Sequence, residues 1–177
     1  SCSVCVYDST TDQILAQECE LMATGQAEAL APMVARVMTA SGKTFAQLTR
    51  IAVTTGPGTF TGIRIGLSFA RALGLATNIK VLGIDTLTAT QVAVSETDLP
   101  IIVVHKAGNS EFLHILNKDI SNNIEISNSI DFGPNPALII GTAAADQIAK
   151  SGRADLKRSP EHDLPSASGF VRYAASL

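Results

Sequence analysis

Residues 54–66 read TTGPGTFTGIRIG, and this stretch decides how the chain folds. The residues that lead into it, 51–54, form a short, largely apolar and mostly β-branched run, which is typical of a buried strand. The residues after it, 63–76, contain no proline and favour a helix. Gly56 and Gly58 reach positive φ at low cost, and the proline between them fixes its own φ and lacks an N–H donor. The stretch therefore predicts a strand, a tight glycine turn and a helix.

A glycine turn ahead of a helix can serve two purposes. It can aim backbone N–H groups at a phosphate, or it can let the helix pack close to the strand. The spacing differs from that of a P-loop, because no Gly-Lys-Ser/Thr follows, and from Gly-x-Gly-x-x-Gly, because its third glycine would fall at Thr61. The packing interpretation is favoured, and a vestigial phosphate contact stays open for Gly56, Pro57, Gly58, Thr59 and Gly62.

The predicted helix carries a small residue at every fourth position, at Gly62, Gly66, Ala70 and Gly74. A mid-helix glycine costs about 1 kcal/mol relative to alanine, so three of them indicate that another backbone lies close along this stripe. A narrow polar seam also runs along the helix, made by Arg64, Ser68 and Arg71. A helix that is apolar nearly all round is buried on more than one side, and we expect the second side to be another protein.

Four segments resemble the TsaB family, also called YeaZ, of bacterial tRNA threonylcarbamoyladenosine biosynthesis proteins. Residues 56–66 resemble the family signature, and residues 81–87, VLGIDTL, resemble the segment that follows it. Residues 28–33, EALAPM, resemble the Glu-x-Leu-Leu-Pro helix of the family, and residues 1–4 resemble its first hairpin strand. Order and spacing match from residue 1 to about residue 95 and become thin beyond it.

The resemblance implies an α/β fold of the actin-like, ribonuclease H-like class (the ASKHA superfamily), with a mixed sheet flanked by helices. We expect an N-terminal actin-like lobe over residues 1–95 and a smaller C-terminal α/β lobe over residues 96–177. The family begins with one earlier apolar strand and ends with a returning tail. Neither is in this sequence, and whether these are real truncations stays open.

The resemblance also implies a function, in biosynthesis of threonylcarbamoyladenosine (t6A) in tRNA. The expected role is that of a non-catalytic, dimerising partner or scaffold without a cofactor. The implied partners are a TsaD-like catalytic paralogue, bound as a heterodimer, and a TsaE-like ATPase. We expect a homodimer in isolation, contact with tRNA only through the complex, and a cytoplasmic protein that does not engage a membrane.

Two other classes stay open. One is an actin-like ATPase or an M22-type metallopeptidase homologue, and the other is a stand-alone homodimeric structural protein. Catalytic relatives carry His-x-x-x-His on the matching helix to hold a metal, whereas residues 24–28 here read TGQAE. We therefore expect no metal site, and we expect surface or turn positions for His105, His114 and His162.

Composition is that of an ordinary globular protein. Of the 177 residues, 46% are hydrophobic and 16% are charged, and the net charge of −3 argues against a free-standing, high-affinity nucleic-acid binder. Reduced thiols of a cytosolic protein are the expected state of Cys2, Cys5 and Cys19. A basic cluster is interpreted as a solvated loop, with a phosphate-contact patch for tRNA as the alternative, at Lys150, Arg153, Lys157 and Arg158.

The partner interface is predicted on two helices, residues 26–40 and 61–76, lying side by side. Their outward residues would pair with the same two helices of a partner, unless the second lobe covers this face. Pro32 predicts a kink or a helix start nearby. The candidate interface residues are Leu30, Met33, Val34, Val37, Arg64, Gly66, Phe69, Ala70 and Leu73.

Overall fold

The computed structural model describes residues 1–94, 97–107, 110–116, 124–127 and 130–177, with the backbone alone for 107, 110–116 and 124–126. These residues form two compact units. The first contains residues 1–55, 60–84 and 167–177, and the second contains residues 56–59 and 85–166. Two units were expected, but the boundary predicted near residue 95 lies at 84/85 instead, and the last helix returns to the first unit.

Two pairs of strands form the sheets of the first unit. Strand β1 (Cys2–Asp8) pairs antiparallel with β2 (Gln13–Glu20), and a turn joins them in which the Asp8 carboxylate accepts a hydrogen bond from the Thr10 amide. Strand β3 (Arg50–Thr54) pairs in parallel with β4 (Lys80–Ile84). The parallel pair requires a crossover, and the helix predicted after the glycine turn supplies it.

Three helices cover these strands. Helix α1 (Gln26–Ser41) packs on the hairpin through Val37 and Met38, which meet Val6, and ends at Gly42 with a φ of 67°. It continues past Pro32, so it does not begin there. Helix α2 (Phe60–Thr77) is the crossover between β3 and β4. The third is the C-terminal helix α5 (Ala167–Ser176).

Helix α5 was predicted to belong to the second lobe, and this is wrong. It packs on β1 in the first unit, where the Arg50 guanidinium donates to the Ala174 carbonyl at 3.0 Å. At its outer side, Arg172 Nε donates to Asp12 Oδ1 at 2.9 Å. The carbonyls at a helix C-terminus lack intrahelical donors, and an arginine satisfies them well.

The second unit is built on a mixed five-stranded sheet in the order β7-β6-β5-β8-β9. Its strands are β5 (Ile101–Ala107), β6 (Ser110–Leu116), β7 (Ile124–Ile126), β8 (Leu138–Ile140) and β9 (Lys157–Arg158). Its helices are α3 (Thr86–Gln91) and α4 (Ala144–Ser151). Strand β5 pairs antiparallel with β6 and parallel with β8.

Side chains of β5 alternate between two apolar layers, as a period of two requires. Val103 packs with Leu87 of α3 on one face, and Val104 packs with Ala144 of α4 on the other. The predicted α/β class, with a mixed sheet and flanking helices, is confirmed. None of the helices in the described ranges has the length and hydropathy needed to span a membrane.

Candidate functional site

The glycine turn connects β3 to α2 and contacts the start of α3. Gly56 has a φ of 103°, a value that favours glycine, and the Gly56–Pro57 peptide bond is cis. The Gly56 carbonyl accepts a hydrogen bond from the Thr86 amide at 2.7 Å. Asp85 caps α3, because its Oδ1 accepts from the Thr88 amide at 2.8 Å. The turn thus positions a capped helix, and a phosphate contact stays a prediction.

The small-residue stripe of α2 faces the sheet. A Cβ atom added to Gly74 would lie 2.4 Å from Val81 Cγ2, and one added to Gly66 would lie 3.5 Å from Val53 Cγ2. Ala70, between them, is 5% exposed. The prediction that Gly66 and Ala70 face a partner is therefore wrong. The crossover helix lies so close to its two strands that a larger side chain has no room at Gly74.

Two candidate residues of α1 are also internal. Met33 is fully buried and Val37 is 2% exposed, so neither can contact a partner. They were assigned to the interface because the sequence alone does not show which apolar side of α1 packs on the hairpin. Of the remaining candidates, Leu30, Val34, Phe69 and Leu73 are half-buried and Arg64 is exposed.

The side of α2 that faces away from the sheet combines apolar and cationic side chains. We call it the outer face of α2, and it consists of Phe60, Arg64, Ser68, Arg71 and Leu75. Residues at these spacings share one side of a helix. Phe60 is 67% exposed and Leu75 is 87% exposed. The Arg64 guanidinium carbon lies 3.7 Å from the centroid of the Phe60 ring.

A concave surface of about 550 Å³ lies at the C-terminal end of α2. It is lined by Arg71, Leu75, Asn78 and Lys80, together with Ala72, Gly74, Ile79 and Val81, and no carboxylate lines it. The concave surface shares two residues, Arg71 and Leu75, with the outer face of α2. The two features therefore form one continuous apolar and cationic surface.

Helix α1 contacts α2, as predicted for two helices lying side by side. Its small side chains, Ala27, Ala31 and Ala35, are exposed and form a flat surface. The charge beside them is neutralised within the unit, because Arg36 NH2 and Glu18 Oε1 are 2.5 Å apart. This hydrogen bond lowers the pKa of Glu18.

His105 was predicted to be a surface or turn residue, and this is wrong. It continues β5 and is 5% exposed. Its Nε2 lies 2.7 Å from Thr90 Oγ1, and its Nδ1 lies 3.2 Å from Thr142 Oγ1. Burial lowers the pKa of His105 to about 4, so the ring is neutral at pH 7. The signal in the sequence was the apolar run 101–104, whose period of two places residue 105 on the buried side with Val103.

The hydrogen bonds around this ring determine its tautomer. Thr90 Oγ1 donates to the Thr86 carbonyl at 2.8 Å, so it accepts from the imidazole, and Nε2 carries the proton. Nδ1 then accepts from the Thr142 hydroxyl, which itself accepts from the Lys106 amide at 3.0 Å. The chain of donors and acceptors is complete and connects α3, β5 and Thr142, two residues before α4.

The basic cluster is partly neutralised. Arg153 NH2 lies 2.5 Å from Asp155 Oδ2, and the same side chain donates to the carbonyls of Gly133 and Asn135. Arg158 NH2 lies 2.5 Å from Asp163 Oδ2. Both arginines pair with nearby carboxylates, and Arg153 also binds carbonyls of a nearby loop, which supports the interpretation as a solvated surface. Contact of Lys150 or Lys157 with tRNA stays a prediction.

Metal-ligating residues do not cluster in the described part of the chain, where no group of three histidine, cysteine, aspartate or glutamate side chains could hold an ion. His162 lies in a 3-10 turn, as predicted, and the side chain of His114 lies outside the described residues. The three cysteines are free, and burial raises the pKa of Cys5 to about 11.

Known proteins resemble this chain in sequence and in fold. The family model described as TsaD, tRNA N6-adenosine threonylcarbamoyltransferase, matches residues 19–171. The TsaB protein of Escherichia coli K12, named for tRNA threonylcarbamoyladenosine biosynthesis, is 32% identical over 87 residues, which cover 49% of this chain and 36% of that protein. A tRNA N6-adenosine threonylcarbamoyltransferase of Erythrobacter litoralis is 28% identical, over 88% of this chain and 49% of that protein.

The chain therefore spans between about a third and a half of these curated relatives. Among solved structures, YeaZ from Pseudomonas aeruginosa superimposes with a TM-score of 0.79 at 18% identity, covering 98% of this chain and 85% of that one. This likeness confirms the actin-like fold. With the matches to TsaB-named proteins, it also bears out the resemblance to TsaB and YeaZ. The chain belongs to the TsaD, tRNA N6-adenosine threonylcarbamoyltransferase, family.

Proposed function

We propose that this protein is a non-catalytic, dimerising partner in t6A biosynthesis. The observation that carries the proposal is the exposed surface made by the outer face of α2 beside the small side chains of α1. Exposed apolar patches rimmed by polar residues mark protein–protein contacts. The likeness to TsaB-named relatives supplies the pathway.

The proposed partner is a TsaD-like catalytic paralogue, bound through α1 and α2, with a TsaE-like ATPase as the third component. Contact with tRNA then comes only through the complex. In isolation, a homodimer would form through the flat surface of small side chains on α1 rather than through the outer face of α2. The interface residues that remain after the structural corrections are Leu30, Val34, Arg64, Phe69 and Leu73.

A catalytic transferase is the second candidate, because the matched family model carries that description. Residues 24–28, TGQAE, carry no histidine where catalytic relatives hold their metal. The described residues hold no other group suited to an ion. These observations favour the accessory role.

Reconstitution of t6A formation separates the two candidates. Unmodified tRNA is incubated with this chain, the TsaD-like transferase and the TsaE-like ATPase of the same cell, each present or left out, and t6A is measured by mass spectrometry of the digested tRNA. We expect no t6A from this chain alone and a strong loss of t6A when only this chain is left out. Formation of t6A by this chain without the transferase would establish the catalytic role instead.

A further inference from the structure

We propose that the outer face of α2 binds an amphipathic helix of a different protein, one that carries carboxylates seven residues apart beside an apolar seam. The inference rests on the proposed function, because it describes the chemistry of the partner at the same surface. It follows from the charge, spacing and exposure of the side chains on this one helix.

The charge of α2 is one-sided. Its eighteen residues include Arg64 and Arg71 but no aspartate or glutamate. Among the described residues, no carboxylate pairs with either guanidinium, and Arg64 instead lies over the ring of Phe60. Lys80 adds a third cation at the neighbouring concave surface. Carboxylates on whatever binds here would complement these cations, and complementary charge selects partners.

The spacing of the two arginines fits a helix. Seven residues correspond to two helical turns, so Arg64 and Arg71 are separated by about 10 Å along the axis of α2. Carboxylates seven residues apart on a helix packed beside α2 repeat at the same interval. Ser68, between the arginines, is small enough to let that helix approach closely. The exposed Phe60 and Leu75 stand at either end, where an apolar seam would cover them.

A second copy of this chain fits the surface poorly. In an antiparallel pair of α2 helices, a two-fold axis that passes between Leu67 and Ser68 places Arg64 of each copy opposite Arg71 of the other. Such a pair therefore contains two contacts between like charges. A parallel arrangement places each arginine opposite itself. Like charges at such positions oppose association, most strongly at low ionic strength.

Nucleic acid is also a poorer fit. Phosphates would pair with the arginines, but they would leave the Leu75 side chain, which is 87% exposed, without an apolar partner. The whole chain carries a net charge of −3, which opposes approach of a polyanion. An acidic amphipathic helix satisfies both the cations and the apolar side chains.

Two stapled helical peptides test the proposal. Both share a leucine seam and are about 21 residues long, or six turns. One carries glutamates at two positions seven residues apart beside the seam, and the other carries lysines there. By fluorescence anisotropy at about 50 mM salt, we expect the glutamate peptide to bind at least about tenfold more tightly, and high salt to remove this preference.

Charge reversal gives the sharper comparison. The double variant Arg64→Glu/Arg71→Glu should reverse the preference, so that the lysine peptide binds more tightly. The control Lys106→Glu/Lys157→Glu makes the same change in net charge at exposed sites in the second unit and should keep the original preference. Unchanged melting temperatures of both variants would show that they remain folded, as expected for exposed substitutions.

Several results would overturn the proposal. These are no binding of either peptide, equal binding of both, or the same response from the control variant. Tight binding of an RNA stem-loop that the Arg64/Arg71 variant abolishes would assign the surface to RNA, and self-association abolished by that variant would assign it to a second copy. Peptide reversal without any effect of the chain on t6A formation would leave this inference standing and remove the proposed function.

Discussion

At the scale of single residues, the buried His105 is the position where local pattern misleads most. His105 directly follows the apolar run 101–104 and was predicted to be a surface or turn residue. Pairing with β6 instead extends the strand to Ala107. The strand itself was predictable from β-branched residues. The hydroxyls that make a buried imidazole tolerable come instead from Thr90 in α3 and from Thr142, two residues before α4. Their approach depends on tertiary packing.

Burial of His105 predicts a loss of stability in mild acid. Its folded pKa of about 4 lies below the ordinary value of 6.5, so only the unfolded chain gains a proton as the pH falls through 6.5. The free energy of unfolding should fall by about 2 kcal/mol between pH 6.5 and about pH 5, and it should level off below the folded pKa. Denaturant titrations across this range measure it.

The variant His105→Gln provides the control. Glutamine keeps a donor and an acceptor at the site but has no titrating group, so its stability should change little over the same range. Carboxylates with lowered pKa values, such as Asp12 and Glu18, take up protons only at lower pH. If the free energy of unfolding of the wild type and of the variant changed with pH in parallel, the lowered pKa of His105 would not be the cause of the acid destabilisation.

At the scale of elements, α2 shows what a spacing pattern leaves open. Glycines four residues apart correctly indicated a close neighbour, but that neighbour is the side chains of β3 and β4 rather than the backbone of a partner. The better indicator of orientation was the polar seam of Arg64, Ser68 and Arg71, which faces away from the sheet as solvated side chains do. Because the rest of the helix surface is apolar, composition alone could not decide whether the small-residue stripe faces the sheet or a partner.

Two glycine substitutions on α2 should have opposite effects. Gly74→Ala places a Cβ 2.4 Å from Val81 Cγ2 and 3.0 Å from the Ile79 carbonyl oxygen, and overpacking of this kind should cost about 1–3 kcal/mol. Gly66→Ala places its Cβ at an ordinary 3.5 Å from Val53 Cγ2, and the gain in helix propensity should stabilise by up to about 1 kcal/mol. Thermal and denaturant unfolding compare them. Equal effects would refute the inward orientation of the stripe.

The cap of α3 gives a second prediction at this scale. Asp85→Ala removes the acceptor of the Thr88 amide and should destabilise by about 1 kcal/mol, whereas Asp85→Asn retains an acceptor and should cost much less. Equilibrium unfolding distinguishes the two. Asp98→Ala, at an exposed position outside the helices, serves as the control, and a cost equal to that of Asp85→Ala would argue against the cap.

At the scale of the whole molecule, the sequence predicted the bounds of β3, α1 and α2 to within one residue but not how the elements are grouped. Strand and helix periods are local, so these three elements could be recognised from their own residues. The return of α5 to the first unit depends on contacts that join distant segments, such as Arg50 with Ala174 and Arg172 with Asp12. No local pattern encodes such pairs. Four of the nine predicted interface residues, Met33, Val37, Gly66 and Ala70, face inward for the same reason, and the other five stay a prediction.

The central claim is that the outward surface of α1 and α2 joins this chain to a catalytic paralogue. Sedimentation velocity of the chain mixed with the TsaD-like transferase of the same cell tests it most directly. We predict a 1:1 complex that dissociates as salt is raised and that weakens at least about tenfold in the Arg64→Glu/Arg71→Glu variant but not in the Lys106→Glu/Lys157→Glu control. Two species that sediment independently at low salt, or a complex that the arginine variant leaves intact, would contradict the account.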